Sequence, residues 1–250
     1  LVPFIIPVLS FLQSFVYKKA DLIIFNSEAR RKQMTGAVKN KPVKTKLIYN
    51  NANPSWVVEG IEEAQGEAPK IRDTWKGKLV VFVGNLFLDG RDISTLLKAF
   101  KRVKDEIPEA LLILVGEGPD REEIARLARS LGIEREVILE GWIKNPLSYM
   151  LASDILLVLA LHEGFSNTLL EALYCRALVL GSRVGGIAEA LEYEDLLFPP
   201  KDEVALAEKI ITFLNDPNKR EKASRLIEER RSRFLFDWTE EMMNAIQESL

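Results

Sequence analysis

The sequence predicts an α/β protein built on a doubly wound parallel sheet, and three observations carry that expectation. Six short apolar runs recur from Lys78 onward, "LVVFV" at 79, "ALLILV" at 110, "VILE" at 137, "ILLVLA" at 155, "LVLG" at 178 and "LLF" at 196. These runs are apolar throughout rather than alternating, as strands covered on both faces are, and helical patterns separate them. Glycines gather where the runs end, at Gly84, Gly116, Gly118, Gly141, Gly164, Gly185 and Gly186.

The elements follow in order. The first 17 residues, "LVPFIIPVLSFLQSFVY", carry no charge but only touch the lower edge of a membrane-spanning length, and Pro3 and Pro7 interrupt them. They read either as a helix packed in a larger lobe or as one lying on a membrane surface. The stretch "DLIIFNSEARRKQM" reads as strand, N-cap at Ser27 and helix, and "KTKLIYNNANPSW" as a strand closed by a turn at Asn50, Asn51, Asn53 and Pro54. Between Val58 and Gly77 apolar residues thin out while Glu59, Glu62, Glu63 and Glu67 accumulate, which marks a linker. Helices are expected at 93–104, 121–131, 167–175 and 204–214, the last with Leu206, Ile210, Phe213 and Leu214 on one stripe. The closing helix sets Trp238, Met242, Ala245 and Ile246 on one face, which must lie on something apolar.

Composition narrows the function. The 34 basic and 37 acidic side chains leave a net charge of -3, so no long-range field favours nucleic acid. One cysteine, Cys175, excludes an internal disulfide and fits a reducing compartment; one histidine, His162, excludes zinc-finger spacing. The chain opens on Leu1 rather than Met, which reads as a segment of a larger protein.

In an open parallel sheet the ligand crevice lies beyond the carboxyl ends of the strands. The loops there are "GNLFLDGRD", "GEGPD", "GWIKNP", "HEGFSN" and "RVGGIAE". Any one glycine needs only a tight turn to explain it, whereas the set would let a phosphate meet backbone N–H groups at helix starts. Glu163 and Glu171 stand eight positions apart, with Ser166 or Asn167 capping the helix between them. Two readings stay open. Either Glu171 accepts from a ribose diol and Glu163 from a hydroxyl beyond a diphosphate, as a nucleotide-diphosphate sugar requires, or Glu163 is a solvated loop residue and Glu171 a favourable helix-start charge.

At these residues the sequence resembles the retaining glycosyltransferases of family 4, which have two Rossmann-like lobes in the GT-B arrangement. Their signature of two glutamates with seven residues between is met by "EGFSNTLLE", and "EALYCRALVLGSRVGGIAEAL" continues it. Upstream, "VFVGN", "LILVGEGP", "VILEGWI" and "LASDILLVLALHEGF" stand in the family's order, while "KKADLIIFNSEARR" and "KLIYNNAN" resemble the end of its N-terminal lobe.

The resemblance implies this division: residues 1–57 end a truncated acceptor-binding lobe, 58–77 link, 78–233 form the donor-binding lobe, and 234–250 pack back on the first lobe. It implies that Glu171 holds the donor ribose, Glu163 a donor-sugar hydroxyl, and the backbone of Gly164, Phe165, Ser166 and Asn167 the diphosphate. The turn Gly141, Trp142, Ile143 meets the base, and Gly84, Asn85 and Gly116 complete the site. The family's first loop usually carries an arginine and a lysine to neutralise the leaving diphosphate. Here the first is Asn85; Arg91 takes the lysine position when one residue is inserted, and Gly90 does when the loop is aligned from its other end.

The implied activity is sugar transfer from a nucleotide-diphosphate sugar to a glycan, lipid-linked or small-molecule hydroxyl acceptor. The resemblance implies that anomeric configuration is retained and that neither metal nor cofactor is needed; a cytoplasmic enzyme is expected, and the membrane-surface reading of residues 1–17 would add peripheral membrane contact. The alternatives are a non-catalytic nucleotide-sugar-binding subunit, or an epimerase or hydrolase on the same fold. Other residues keep two readings: His162 as base or incidental loop residue, Trp142 stacking on the base or covering the sheet edge, Glu189 facing the cleft or solvent. Cys175 reads as a small core residue and "RLIEERRSR" as a solvated helix face.

Overall fold

The computed structural model describes residues 19–37 and 44–249. The expectations for the opening run 1–17, its membrane contact included, lie outside the described residues. Two parallel strands, β1 (Leu22–Phe25) and β2 (Lys44–Leu47), form a small sheet with Leu22 opposite Lys44 and Phe25 opposite Leu47. The larger sheet holds β3 (Lys78–Val83), β4 (Ala110–Val115), β5 (Val137–Gly141), β6 (Ile155–Val158), β7 (Val179–Ser182) and β8 (Leu197–Phe198). All pair in parallel, in the order β5-β4-β3-β6-β7-β8.

Each strand falls on an apolar run read from the sequence. Leu79, Val80, Val81, Ile113, Leu114, Leu156 and Leu157 are fully buried, so consecutive side chains on opposite faces are both covered. Burying each such side chain contributes about 1.5–3 kcal/mol relative to leaving it in water.

In chain order the helices are α1 (Glu28–Ala37), α2 (Ser55–Thr74), α3 (Leu88–Arg91), α4 (Ile93–Glu106), α5 (Arg121–Ser130), α6 (Leu147–Ala152), α7 (Asn167–Tyr174), α8 (Gly185–Leu191), α9 (Glu203–Asn215), α10 (Pro217–Arg233) and α11 (Trp238–Gln247). The strand order reverses between β3 and β6: β4 and β5 are added outward on one side, β7 and β8 on the other. Right-handed crossovers then put the helices of the two halves on opposite faces. The loops after β3 and β6 are left facing each other at the reversal, where an open α/β sheet binds its ligand.

The expected linker at 58–77 is largely helical: α2, a 20-residue helix, packs on α6 of the larger lobe. Its buried side chains are Val57, Ala64 and Ala68, small residues that hide a helix without an apolar stripe. Asn145 Nδ2 donates to the Gly60 carbonyl at 2.9 Å, and Arg72 Nη1 reaches Asp154 Oδ2 at 2.8 Å. Burial raises the Asp154 carboxyl, but the Leu79 amide, Arg72 and Arg220 outweigh it and hold it below its usual range.

Two further readings change. In "RLIEERRSR", Arg225, Glu229, Ser232 and Arg233 are exposed, but Arg230 is buried, donating through Nε to the Ala190 carbonyl at 2.6 Å and pairing with Glu192, so this stretch of α10 is a solvated face only in part. Helix α11 lies beside the small sheet, with Lys46 Nζ 2.8 Å from Glu248 Oε2. Of its expected apolar stripe, Ala245 is buried while Trp238 and Ile246 stay exposed.

Candidate active site at the reversal of strand order

The floor of the crevice is backbone packed on backbone. Gly116, at φ +139°, puts its Cα so close to the loop after β3 that a Cβ would sit 2.0 Å from the Gly84 carbonyl oxygen. Its N–H donates to the Gly141 carbonyl at 2.7 Å, tying the ends of β3, β4 and β5 together. The Gly-Gly turn does the same for the loop after β6. A Cβ on Gly185 would lie 2.0 Å from the Glu163 carbonyl oxygen, and one on Gly186 2.1 Å from that of Gly164. Only glycine permits such approach, so these residues shape the crevice before any ligand enters.

Across the reversal, Arg91 Nη1 stands 2.9 Å from Glu163 Oε2. Arg91 ends α3, its N–H donating to the Phe87 carbonyl at 2.9 Å. The next residue, Asp92, is buried in the left-handed region at φ 54°, where residues other than glycine are uncommon. Its carboxylate accepts from the Thr95 hydroxyl at 2.7 Å and the Lys201 N–H at 2.7 Å, which fixes where α3 hands over to α4 and so where Arg91 begins. Sequence reading passed over Asp92, whose only signal is its place beside Arg91.

Glu163 borders a cavity of about 620 Å3 together with His162, Gly164, Val184 and Gly185, with Ala29, Arg30 and Gln33 of α1 on the other side. The Gly164 N–H points at Glu163 Oε1, 3.1 Å away. Ser166 caps α7, accepting from the Leu169 N–H at 3.2 Å. The N–H groups of Phe165, Ser166 and Asn167 carry no hydrogen bond within the described residues, so they are free to meet an anion at the helix start.

Glu171 lines a different cavity, of about 240 Å3, with Asn50, Asn51, Pro54, Trp56, Asn167 and Trp238. Asn50 Nδ2 donates to Asn167 Oδ1 at 2.7 Å on its wall. No side chain among the described residues hydrogen-bonds the Glu171 carboxylate, and burial pushes its pKa from the ordinary 4.5 up to about 7. The structure thus brings Arg91 to Glu163 but sets Glu171 on the other side of the loop they share.

The remaining expected residues are less enclosed. Asn85 is exposed, its carbonyl accepting from the Phe87 N–H at 3.0 Å. Gly141 turns at φ +87°, and Ile143 packs on the core. Trp142 is 71% exposed, which removes the reading that it covers the sheet edge. His162 is exposed at the cavity mouth, and Cys175 is buried, its thiol pushed up to about 12 by that burial and by Glu171.

Glu189 follows neither earlier reading. It reaches the smaller lobe, accepting from the N–H groups of Glu28 at 2.8 Å and Ala29 at 3.2 Å and from the Tyr49 hydroxyl at 2.6 Å. A carboxylate at the start of α1 meets both unpaired N–H groups and the positive end of the helix dipole. Beside it, the rings of Tyr49, Phe165 and Phe234 form a triangle with centroids 5.1–5.6 Å apart. Among the described residues, no group of three or more His, Cys, Asp or Glu side chains is placed to hold a metal ion.

A parallel sheet reversing at a glycine-lined crevice, with an Arg–Glu pair across it and part of a second lobe closing over it, defines one lobe of a GT-B protein and the edge of another. The family model of glycosyl transferases group 1 matches residues 67–233, and the chain belongs to that family. An N-acetylgalactosaminyltransferase of Campylobacter jejuni, acting on a diphospho-undecaprenol-linked sugar, is 30% identical over 209 residues, 82% of this chain and 54% of its own. N-acetyl-α-D-glucosaminyl L-malate synthase of Bacillus anthracis is 33% identical over 141 residues, 56% of this chain and 36% of its own. Among solved structures, Anabaena HepE with UDP and glucose gives a TM-score of 0.77 at 23% identity, covering 92% of this chain and 64% of that one. Sucrose-phosphate synthase of Thermosynechococcus elongatus gives 0.78 at 25% identity, covering 95% and 59%. The chain therefore spans between about a third and two thirds of the proteins it matches.

Proposed function

We propose that the protein transfers a sugar from a nucleotide-diphosphate sugar to a hydroxyl acceptor, retaining anomeric configuration and needing no metal. The observation that carries this is the Arg91–Glu163 pair at the sheet reversal, in direct contact at 2.9 Å, with Glu163 bordering a cavity of about 620 Å3. Glu163 accepts from a donor-sugar hydroxyl, the N–H groups of Phe165, Ser166 and Asn167 receive the diphosphate, and Glu171 takes the ribose diol. Positive charge for the departing diphosphate comes from Arg91 and these N–H groups, which is the role a divalent cation plays elsewhere. Gly84, Asn85 and Gly116 form the floor, with Gly141, Trp142 and Ile143 towards the base.

The acceptor is drawn from the lipid-linked, glycan or small-molecule hydroxyls. A lipid-linked one has the support of the Campylobacter relative's diphospho-undecaprenol substrate, and with such an acceptor we propose a cytoplasmic enzyme at the inner face of the membrane. No helix among the described residues is long and apolar enough to cross a membrane.

The test supplies UDP-, GDP- and ADP-sugars with candidate acceptors in EDTA and reads donor loss and the anomeric configuration of the product by NMR. Glycoside of retained configuration formed in EDTA supports the proposal. Donor consumed with no glycoside would favour the epimerase or hydrolase reading, and binding without turnover the non-catalytic one.

A further inference from the structure

Breaking the bond between a sugar and a diphosphate leaves negative charge on the departing oxygen, and a catalytic site must meet that charge with fixed cations or N–H groups. The larger lobe supplies little that is free. Residue 85 is a neutral asparagine, and the guanidinium of Arg91 is already opposed by Glu163 at 2.9 Å.

Across the same cavity stands Arg30 of α1, flanked by Gln33. A methyl group on Gly164 would lie 3.4 Å from Arg30 Nε, so the guanidinium overhangs the start of the loop whose next N–H groups are unpaired. Arg30 itself makes no side-chain hydrogen bond or ion pair among the described residues, whereas the adjacent Arg31 pairs with Glu28 at 2.8 Å. Its backbone is held, since its N–H donates to Ser27 Oγ at 3.2 Å and Glu189 grips the two preceding N–H groups from the larger lobe. An unpaired cation on a fixed helix turn, facing the anion cradle, is a placement with no structural partner to account for it.

We infer that Arg30 is a second cation, beside Arg91, that meets the leaving diphosphate, supplied from the smaller lobe where Asn85 leaves the larger one a charge short. The inference rests on the nucleotide-sugar reading. In the step it serves, the C1–O bond to the diphosphate breaks with both electrons staying on the diphosphate oxygen. The acceptor hydroxyl oxygen forms the new bond to C1, and its proton passes to the diphosphate. A guanidinium suits this place because its planar fork can hold two phosphate oxygens at once.

The experiment titrates the protein with UDP, GDP and ADP and with the matching nucleosides, and takes forward the nucleotide that binds. Arg30→Ala should weaken the nucleoside diphosphate by about ten- to a hundredfold, the worth of a charged hydrogen-bonded contact, and leave the nucleoside unchanged within about twofold. Arg30→Lys should recover part of the loss. Equal diphosphate affinity in Arg30→Ala and the native protein would overturn the inference while leaving the donor site standing. Loss of nucleoside and diphosphate alike would also overturn it, showing a structural role. If the native protein binds none of the three diphosphates, the donor-site reading fails and takes the inference with it.

Discussion

Glu163 and Glu171 are the same residue type eight positions apart on one loop and helix, and their surroundings are opposite. Glu163 has a guanidinium at 2.9 Å and its own loop N–H at 3.1 Å. Glu171 has two tryptophans and three asparagines around its cavity, no hydrogen-bond donor among the described side chains, and a pKa raised to about 7 by burial. A buried carboxylate without a donor is costly unless something supplies one. The contrast is between a carboxylate whose charged partner is already in place and one whose donors, on the proposed reading, come from a ligand's hydroxyls.

The largest effect should come from breaking the compensated pair. Arg91→Ala or Glu163→Gln should lower turnover by about a hundred- to a thousandfold, the scale of removing one group that meets charge in the transition state. Nucleoside affinity should change little, and steady-state kinetics beside calorimetry would show both. Equal turnover in Arg91→Ala and the native protein would remove Arg91 from the chemistry.

Glu171→Ala should weaken nucleotide binding by about ten- to a hundredfold, since charge-assisted hydrogen bonds contribute about 1.5–3 kcal/mol. A change under twofold would leave Glu171 a structural residue. The same carboxylate sets a pH dependence. A diol donates to the ionised form, so binding should tighten by up to about tenfold as pH rises from 6 to 8 through the value of about 7, and Glu171→Gln should flatten that slope. The unliganded protein should respond in the opposite sense. Its folded-state pKa lies above the ordinary 4.5, so this group's contribution to stability is fully present below that value and is lost as pH rises through about 7.

The smallest effect is structural. Glu189→Ala removes the acceptor for two α1 N–H groups and the Tyr49 hydroxyl, and should cost about 1–2 kcal/mol in chemical denaturation. An unchanged midpoint would mean that water replaces the carboxylate without loss.

The larger sheet was legible because strands covered on both faces must be apolar at every position, and "LVVFV" or "ILLVLA" admits little else. The Arg91–Glu163 meeting follows from strand order: once β3 and β6 are neighbours, the loops after them face each other. What sequence left dark depends on partners far along the chain. Helix α2 buries alanines and carries Pro69, so neither its stripe nor its continuity shows. Glu189 acts on N–H groups 160 and 161 positions away, and Arg230 looks solvated in "RLIEERRSR" until its acceptors on α8 are in place. Arg30 is one of two adjacent arginines after Ser27, and only the cavity singles it out.

The aromatic triangle bears on how such proteins can be recombined. Tyr49 comes from the end of the smaller sheet, Phe165 from the loop between β6 and α7 and Phe234 from the turn that follows α10. A hybrid that grafts residues 78–233 onto another member's smaller lobe would move one ring and abandon the other two. Exchanging that block between members therefore calls for Tyr49 and Phe234 to travel with it, although neither touches the cavity that holds Glu163.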